Sequence, residues 1–249
     1  VDLTLDSGAG AGAIAFVAID GHSDEAVTID AGAGAMSIGA IGASGATEIG
    51  TLSIGSANNG TITLNGAIYT SGNITLDGVT ELATGAITVD SSGGNGAINF
   101  LHRVNGAQDL IISSGSGEVD FSGNAHIGRF TALSSLTINS SGSGLIDINS
   151  SIGDSTSVGV SGAIAVGNTS TTEVELSGAD YKTTGAQVYT ATGGDNIDVL
   201  NSATFATSDA AITFGTANIA LSNGSNLTVN STGGAITIAG IAGHSDETV

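Results

Sequence analysis

The chain has 249 residues and a formal net charge of −20, because 23 acidic residues stand against only three basic ones. Nucleic acid and anionic lipid headgroups are bound mainly through clustered Lys and Arg, so this charge excludes both as direct partners. Cysteine and proline are absent and no stretch of about 18 apolar residues occurs, which excludes a disulfide scaffold, collagen and insertion into a membrane as a helix.

Short alternating segments recur along the chain and predict β-strands. Each has apolar residues on either side of a polar one, the period of a strand with one buried face. Gly, Asn, Ser and Asp bound the segments, and these residues suit tight corners. In chain order the predicted strands include 61–64, 73–76, 86–89, 97–100, 136–138, 145–148, 212–214, 219–221, 227–229 and 236–238. Because 40% of the chain is hydrophobic and follows this rhythm, we expect order despite the 40 glycines.

The strand rhythm predicts an all-β chain folded as a right-handed parallel β-helix, or β-solenoid, with two to three short strands per turn. A β-sandwich also contains short strands, but here they span three to five residues, few hairpin-forming pairs separate them, and large core residues are scarce. With about 20–25 residues per turn, 222 residues would make roughly 9–11 turns stacked at about 4.8 Å. The two unpaired ends would favour self-association.

A longer repeat marks candidate unit boundaries. The segment Gly21, His22, Ser23, Asp24 and Glu25 recurs as Gly243, His244, Ser245, Asp246 and Glu247. Apolar positions upstream recur at the same 222-residue offset, as Ile14 does at Ile236 and Ile19 at Ile241. We therefore expect residues 1–20 to end one tandem unit, 21–242 to form one unit of 222 residues, and 243–249 to begin the next.

Phrases in the middle of the chain resemble a known family. These are VNGAQDLII at 104–112, GEVDF at 117–121, LSSLTI at 133–138 and TTGAQVY at 183–189. They are similar to recurring phrases of the giant filamentous-haemagglutinin-like, or β-strand-repeat, surface proteins of bacteria. The resemblance implies a right-handed parallel β-helix, export to the cell surface, and a role in adhesion, biofilm or surface structure. It implies no catalytic residue within the repeats.

Two segments are candidate calcium sites. Gly193 to Asp198 resembles a calcium-binding nonapeptide repeat and offers Asp195, Asn196 and Asp198, although only one copy is present. The segment at 21–25 offers Asp24 and Glu25 as oxygen ligands. A polar corner of the solenoid is the simpler interpretation of both segments, and no other cofactor is indicated.

The basic residues and the remaining carboxylates leave two further hypotheses. The pairs His102–Arg103 and His126–Arg129 are expected to form ion pairs with acidic residues of neighbouring turns, namely Asp109, Glu118 or Asp120, and a carbohydrate contact is the alternative. A β-helix enzyme acting on polysaccharide would need clustered carboxylates with a cation, for which Glu173, Glu175, Asp180 and Lys182 are the candidates.

These observations favour a non-catalytic structural segment of an extracellular filament or adhesin on a bacterial surface. We expect its main partner to be itself, through end-to-end or tandem stacking and bundling, with a cell-surface or carbohydrate ligand as a further partner. A calcium-stabilised adhesive stalk is the first alternative, and the polysaccharide-active enzyme is the second.

Overall fold

The computed structural model describes residues 1–22, 25–45, 47–56, 60–140, 144–243 and 248–249, with only the backbone of Ser140. Within these residues the chain forms 25 β-strands and no helix. The first twelve strands are β1 (Leu3–Asp6), β2 (Ile14–Ile19), β3 (Val27–Asp30), β4 (Met36–Ile41), β5 (Leu52–Gly55), β6 (Thr61–Leu64), β7 (Ile68–Tyr69), β8 (Ile74–Asp77), β9 (Val79–Leu82), β10 (Ile87–Asp90), β11 (Ile98–Phe100) and β12 (Val104–Asn105). The remaining strands are β13 (Asp109–Gly115), β14 (Val119–Phe121), β15 (Ser135–Ser140), β16 (Leu145–Ile148), β17 (Ile164–Val166), β18 (Glu173–Leu176), β19 (Asp180–Lys182), β20 (Gln187–Val199), β21 (Ala203–Ala206), β22 (Ile212–Leu221), β23 (Leu227–Asn230), β24 (Ile236–Ile238) and β25 (Ile241–Ala242).

Each strand pairs in parallel with the equivalent strand of the neighbouring coil. Ile98, for example, lies between Ile74 on the preceding coil and Val119 on the following coil. The offset between residues of paired strands varies from 18 residues, at Thr61 and Val79, to 28 residues, at Ile146 and Val174. The result is a stack of about 10 turns, which confirms the predicted parallel β-solenoid.

The coils present three faces. The first face consists of β1, β3, β5, β8, β11, β14, β16, β18, the C-terminal parts of β20 and β22, and β25. The second consists of β2, β4, β6, β9, β12, β19, β21 and β23. The third consists of β7, β10, β13, β15, β17, the N-terminal parts of β20 and β22, and β24. Three strands per turn is the upper value of the sequence prediction.

The interior is a set of apolar columns that run along the solenoid axis. On the first face every second residue points inward, and the inward residues of successive coils lie directly above one another. This column consists of Val27, Leu52, Ile74, Ile98, Val119, Ile146, Val174, Ile197 and Ile219, each no more than 2% exposed. Because full burial of such a side chain contributes about 1.5–3 kcal/mol, each coil adds its own increment to the stability.

Aromatic rings fill the interior toward the C-terminal coils. Tyr181 stacks on Phe205 with ring centroids 4.6 Å apart, and Tyr189 stacks on Phe214 at 5.0 Å. Buried polar atoms in this region are satisfied, since the amide nitrogen of Gln187 donates to the carbonyl oxygens of Tyr181 and Ala206, each at 2.8 Å. This network fixes the position of the buried rings.

Two strands are at least twice as long as the three to five residues predicted. β20 has 13 residues and β22 has 10, and each turns from the third face to the first without an interruption. The pairing of β20 with β22 changes register on both sides of Gly194, whose φ of +109° is readily adopted only by glycine. The corner is thus a bulge within a continuous strand, which alternating hydrophobicity alone does not distinguish from a loop.

The long repeat does not return to the same face. Ile14, in the upstream copy, pairs with Met36 on the second face, whereas its counterpart Ile236 pairs with Ile212 on the third face. The preceding strands are shifted in the same sense, because β1 lies on the first face and β23 on the second. The 222-residue offset therefore corresponds to nine coils and one further face. The proposed boundaries at 1–20, 21–242 and 243–249 remain a prediction.

Replacing Phe121 by Ala should destabilise the protein strongly. The ring is fully buried and stacks on Phe100 at a centroid distance of 4.7 Å, so its removal leaves a cavity that costs about 3–5 kcal/mol. Urea unfolding followed by circular dichroism measures the change. Phe130→Ala is the control, since that ring is 71% exposed, and it should change the free energy of unfolding by no more than about 0.5 kcal/mol. Equal effects of the two substitutions would contradict the structure.

Candidate functional site

Four carboxylates on consecutive coils form a line on the outer side of the first face. Asp120 in β14 pairs with Asp147 in β16, Asp147 pairs with Glu175 in β18, and Glu175 pairs with Asp198 in β20. Each occupies the outward position between two buried apolar residues of its strand. Because neighbouring parallel strands lie about 4.8 Å apart, the four residues form an acidic ladder.

The pKa values of the four carboxylates in the acidic ladder are raised. Burial raises the pKa of Asp147 to about 6, although a hydrogen bond from Asn149 opposes the shift and neighbouring carboxylates add to it. Burial, a hydrogen bond with Glu173 and the charges of nearby carboxylates raise the pKa of Asp198 to about 7. Burial also raises the pKa values of the other two members above their ordinary range. The ladder therefore holds protons that an exposed carboxylate would release.

One member of the ladder is incompletely satisfied. The amide nitrogen of Asn149 donates to Oδ2 of Asp147 at 2.6 Å. Oδ1 of Asp147 is buried and has no hydrogen-bond partner among the described residues. The basic side chains that form ion pairs, Arg129 and Lys182, contact Asp154 and Asp180, which lie outside the ladder.

Two members of the ladder form a cluster of three carboxylates with Glu173, which lies on the same strand as Glu175. Glu173, Glu175 and Asp198 each offer one oxygen, and these oxygens lie within 4.8 Å of one another. Such a group can share a proton, as the hydrogen bond between Asp198 and Glu173 indicates, or can place oxygens around a divalent cation. Calcium requires six to eight oxygens, so three carboxylates provide at most six and leave further positions to water.

The structure separates the three residues of the first predicted calcium segment. Asp198 lies in the cluster on the first face. Asn196 donates its amide to Thr192 Oγ1 at 3.0 Å, and Asp195 accepts a hydrogen bond from Asn218 at 2.9 Å. Calcium binding by Asp195, Asn196 and Asp198 stays a prediction, and Asp198 is the member with neighbouring carboxylates on the adjacent coil.

The second predicted calcium segment is described only in part. The backbone N–H of His22 donates to Oε2 of Glu25 at 2.8 Å, shortly before β3. Ser23 and Asp24 lie outside the described residues, as does 244–247 in the downstream copy. Gly21 is buried, and an added Cβ at this position would collide with the side chain and backbone of Ile49. A cation at Asp24 and Glu25 stays a prediction.

The acidic partners predicted for the basic residues are wrong. His102 contacts Asp77 at 3.1 Å and Arg129 contacts Asp154 at 3.8 Å, whereas Asp109, Glu118 and Asp120 form no ion pair with them. The prediction expected partners on neighbouring turns, and the coil register does bring residues 25 positions apart together, but the acidic residues that it places there are Asp77 and Asp154. The carboxylates named for the enzyme hypothesis do not all lie together, because Asp180 lies on the second face and forms an ion pair with Lys182 at 3.1 Å.

The acidic ladder was missed as a unit in the sequence, although each rung carries the same signal. An acidic residue stands between two apolar residues in VDF, LIDI, EVEL and IDV, the segments that hold the four rungs. The spacing between rungs is 27, 28 and 23 residues, so no fixed period exposes the alignment.

Comparison with known proteins finds no matching family model, no significantly similar curated protein and no significantly similar solved structure. No helix among the described residues is long and apolar enough to cross a membrane. The class that the fold defines is that of the β-solenoid repeat proteins, with about 10 turns.

The protein should become less stable as the pH rises from about 5 to about 8. The folded-state pKa of Asp198 lies above the unfolded value of about 3.9, so the folded state binds more protons in this window and loses that advantage as the pH rises through about 7. Asp198→Asn should raise the melting temperature at about pH 8 by roughly 2–4 °C and change it little at about pH 5, since screening limits the gain to about 1 kcal/mol. Asp20→Asn, which removes an exposed carboxylate, is the control. A melting temperature that rises with pH would contradict this assignment.

Calcium at about millimolar concentration should raise the melting temperature at about pH 8 if the cluster binds it, because the cation would neutralise adjacent carboxylates. Differential scanning calorimetry with calcium and with chelator measures the shift. Glu175→Gln should reduce the shift and Asp20→Asn should preserve it. An equal shift in all three proteins, or none, would show that calcium does not act at the cluster.

Proposed function

We propose that this chain is a non-catalytic structural segment of a long extracellular filament or adhesin on a bacterial surface, built from tandem β-solenoid units. The single observation that carries the proposal is the recurrence of the segment at 21–25 after 222 residues, within a chain whose coils stack about 10 turns deep. A solenoid that repeats its own sequence can continue by the same stacking that holds it together. The resemblance to filamentous-haemagglutinin-like proteins points in the same direction.

The energetics of the stack suit a filament. Each coil contacts only its neighbours, and the apolar column of the first face runs without a break from Val27 to Ile219. Stability therefore accumulates with length and no point along the rod needs a separate core. A net charge of −20, distributed along the surface, keeps such a rod soluble and limits lateral association.

A calcium-stabilised adhesive stalk is the second candidate. The observation that favours it is the acidic ladder, where four coils in succession place a carboxylate at the same outward position. A divalent cation would relieve this repulsion and stiffen the rod. The calcium titration described above distinguishes this candidate from a purely structural segment.

Immunogold electron microscopy with an antibody raised against this chain tests the filament. We expect label along thin surface fibres with an axial spacing of about 45 Å, the length of nine coils and one face at about 4.8 Å per coil. Pre-immune serum is the control. Label confined to the cell interior, or on compact particles, would contradict the proposal.

A further inference from the structure

A polar pocket lies where the second face is thinnest. Its volume is about 330 Å³, near the lower end of the range for small-molecule sites. Six residues line it: His102, Arg103, Asn124, His126, Arg129 and Phe130. Two of the three Lys and Arg residues in the chain and two of its four histidines therefore meet in one place, although the net charge is −20.

The fold builds this pocket from two adjacent coils. Between β12 and β19 the second face is reduced to single bridges, at Val104 to Ile127 and at Ile127 to Ile152. The bridge between Val104 and Ile127 brings the residues that precede them, Arg103 and His126, to the same level. Here the chain leaves the sheet instead of continuing it, and the segment after Ile127 projects outward.

Two contacts hold the projecting segment in place. Gly128 has a φ of +68°, and an added Cβ would collide with the carbonyl of Gly159, so the turn requires glycine. The backbone N–H of Phe130 donates to Oδ1 of the buried Asn105 at 3.1 Å, and the Asn105 amide donates to Glu81 at 3.1 Å. The backbone at Phe130 is thereby anchored to a buried side chain of the preceding coil.

The guanidinium groups are arranged around the Phe130 ring. The Cζ atom of Arg103 lies 5.1 Å from the ring centroid and that of Arg129 lies 5.8 Å from it, both within cation–π range. No carboxylate of the described residues lies within ion-pair distance of Arg103. Arg129 approaches Asp154 only at 3.8 Å, and that contact is exposed to solvent. The two cations are thus held together by an aromatic ring with little neutralisation.

The two histidines supply the remaining polar groups of the pocket. His102 is oriented by Asp77 at 3.1 Å. Nδ1 of His126 is buried and has no hydrogen-bond partner among the described residues. In proteins a buried N–H group without a partner is rarer than a buried acceptor without one. The neutral ring therefore carries its proton on Nε2. Burial and the charge of Arg129 lower the pKa of His126, which favours the neutral ring.

We propose that this pocket binds the carboxylate of a small, otherwise uncharged ligand of the acidic-monosaccharide class, such as a uronic acid. A guanidinium matches a carboxylate through two parallel hydrogen bonds, and Arg103 lacks such a partner within the protein. Asn124 and the histidines supply further donors and acceptors for hydroxyl groups, and the exposed Phe130 ring offers an apolar surface to the C–H groups of a sugar. The inference goes beyond the filament proposal and does not depend on it.

The overall charge selects against a polyanion. A single carboxylate interacts mainly with the local cations, because charges beyond about 8 Å are screened at physiological ionic strength. A polymer with a charge on every sugar would extend over the acidic surface of the rod and be repelled by it. A terminal acidic residue on a neutral glycan, or the free acid, avoids this repulsion.

Isothermal titration calorimetry with the full chain tests the site. Sodium glucuronate is the probe, methyl glucoside is the neutral control, and polyglutamate is the polyanion control. We expect glucuronate to bind, and both controls to bind at least about tenfold more weakly, since a hydrogen bond to a charged group contributes about 1.5–3 kcal/mol. Arg103→Gln and Arg129→Gln should each weaken glucuronate binding at least about tenfold. Lys182→Gln, which removes the one Lys or Arg residue outside the pocket, should leave glucuronate binding unchanged.

A second measurement separates binding from a general charge effect. In NMR titrations glucuronate should raise the pKa of His126 and leave the chemical shifts of His22, which lies before β3, unchanged at constant pH. Melting temperatures of the variants confirm that they fold, and either arginine variant suffices if the other does not. The proposal is overturned if glucuronate does not bind, if methyl glucoside or polyglutamate binds as tightly, if Lys182→Gln weakens binding as much as the arginine variants do, or if the His126 pKa does not move.

Discussion

Parallel hydrogen bonding between successive coils is the interaction on which the rest of the structure depends. It forces each residue to lie about 4.8 Å from its equivalents on the coils above and below. On the inside this produces uninterrupted columns of Ile, Val and Leu. On the outside it aligns whatever the sequence places there, so that one acidic residue per coil becomes a line of four carboxylates from Asp120 to Asp198. The inward and outward columns are two results of the same register.

The sequence could predict the coil but not the register. Alternation of apolar and polar residues located β6, β16 and β24 at their observed bounds, because an inward residue must be apolar whichever coil it lies on. The partners of outward residues depend on the number of residues in each coil, and that number changes from coil to coil. For this reason Asp195, Asn196 and Asp198 looked like one site in sequence, while Asp198 lies with Glu173 and Glu175 in the structure. The bulge at Gly194 adds to the difference, since it continues a strand where glycines suggest a loop.

The two charged features of the surface arise from opposite properties of the sheet. The acidic ladder lies on the first face, where regular pairing holds carboxylates in line, and burial together with neighbouring charges raises the pKa values of Asp147 and Asp198. The pocket around Phe130 lies on the second face, where pairing is reduced to bridges and the chain is free to project. The pocket thus lies where a coil departs from the repeat.

The shift of the long repeat by one face has a geometric consequence for a chain of tandem units. If each unit adds nine coils and one third of a coil, equivalent residues of successive units point in directions about 120° apart, and the original direction returns after three units, at about 130 Å. Any feature that occurs once per unit would then be displayed on three sides of the rod in helical order. Such a filament could engage neighbours or ligands from every side, although each unit carries the feature on one side only.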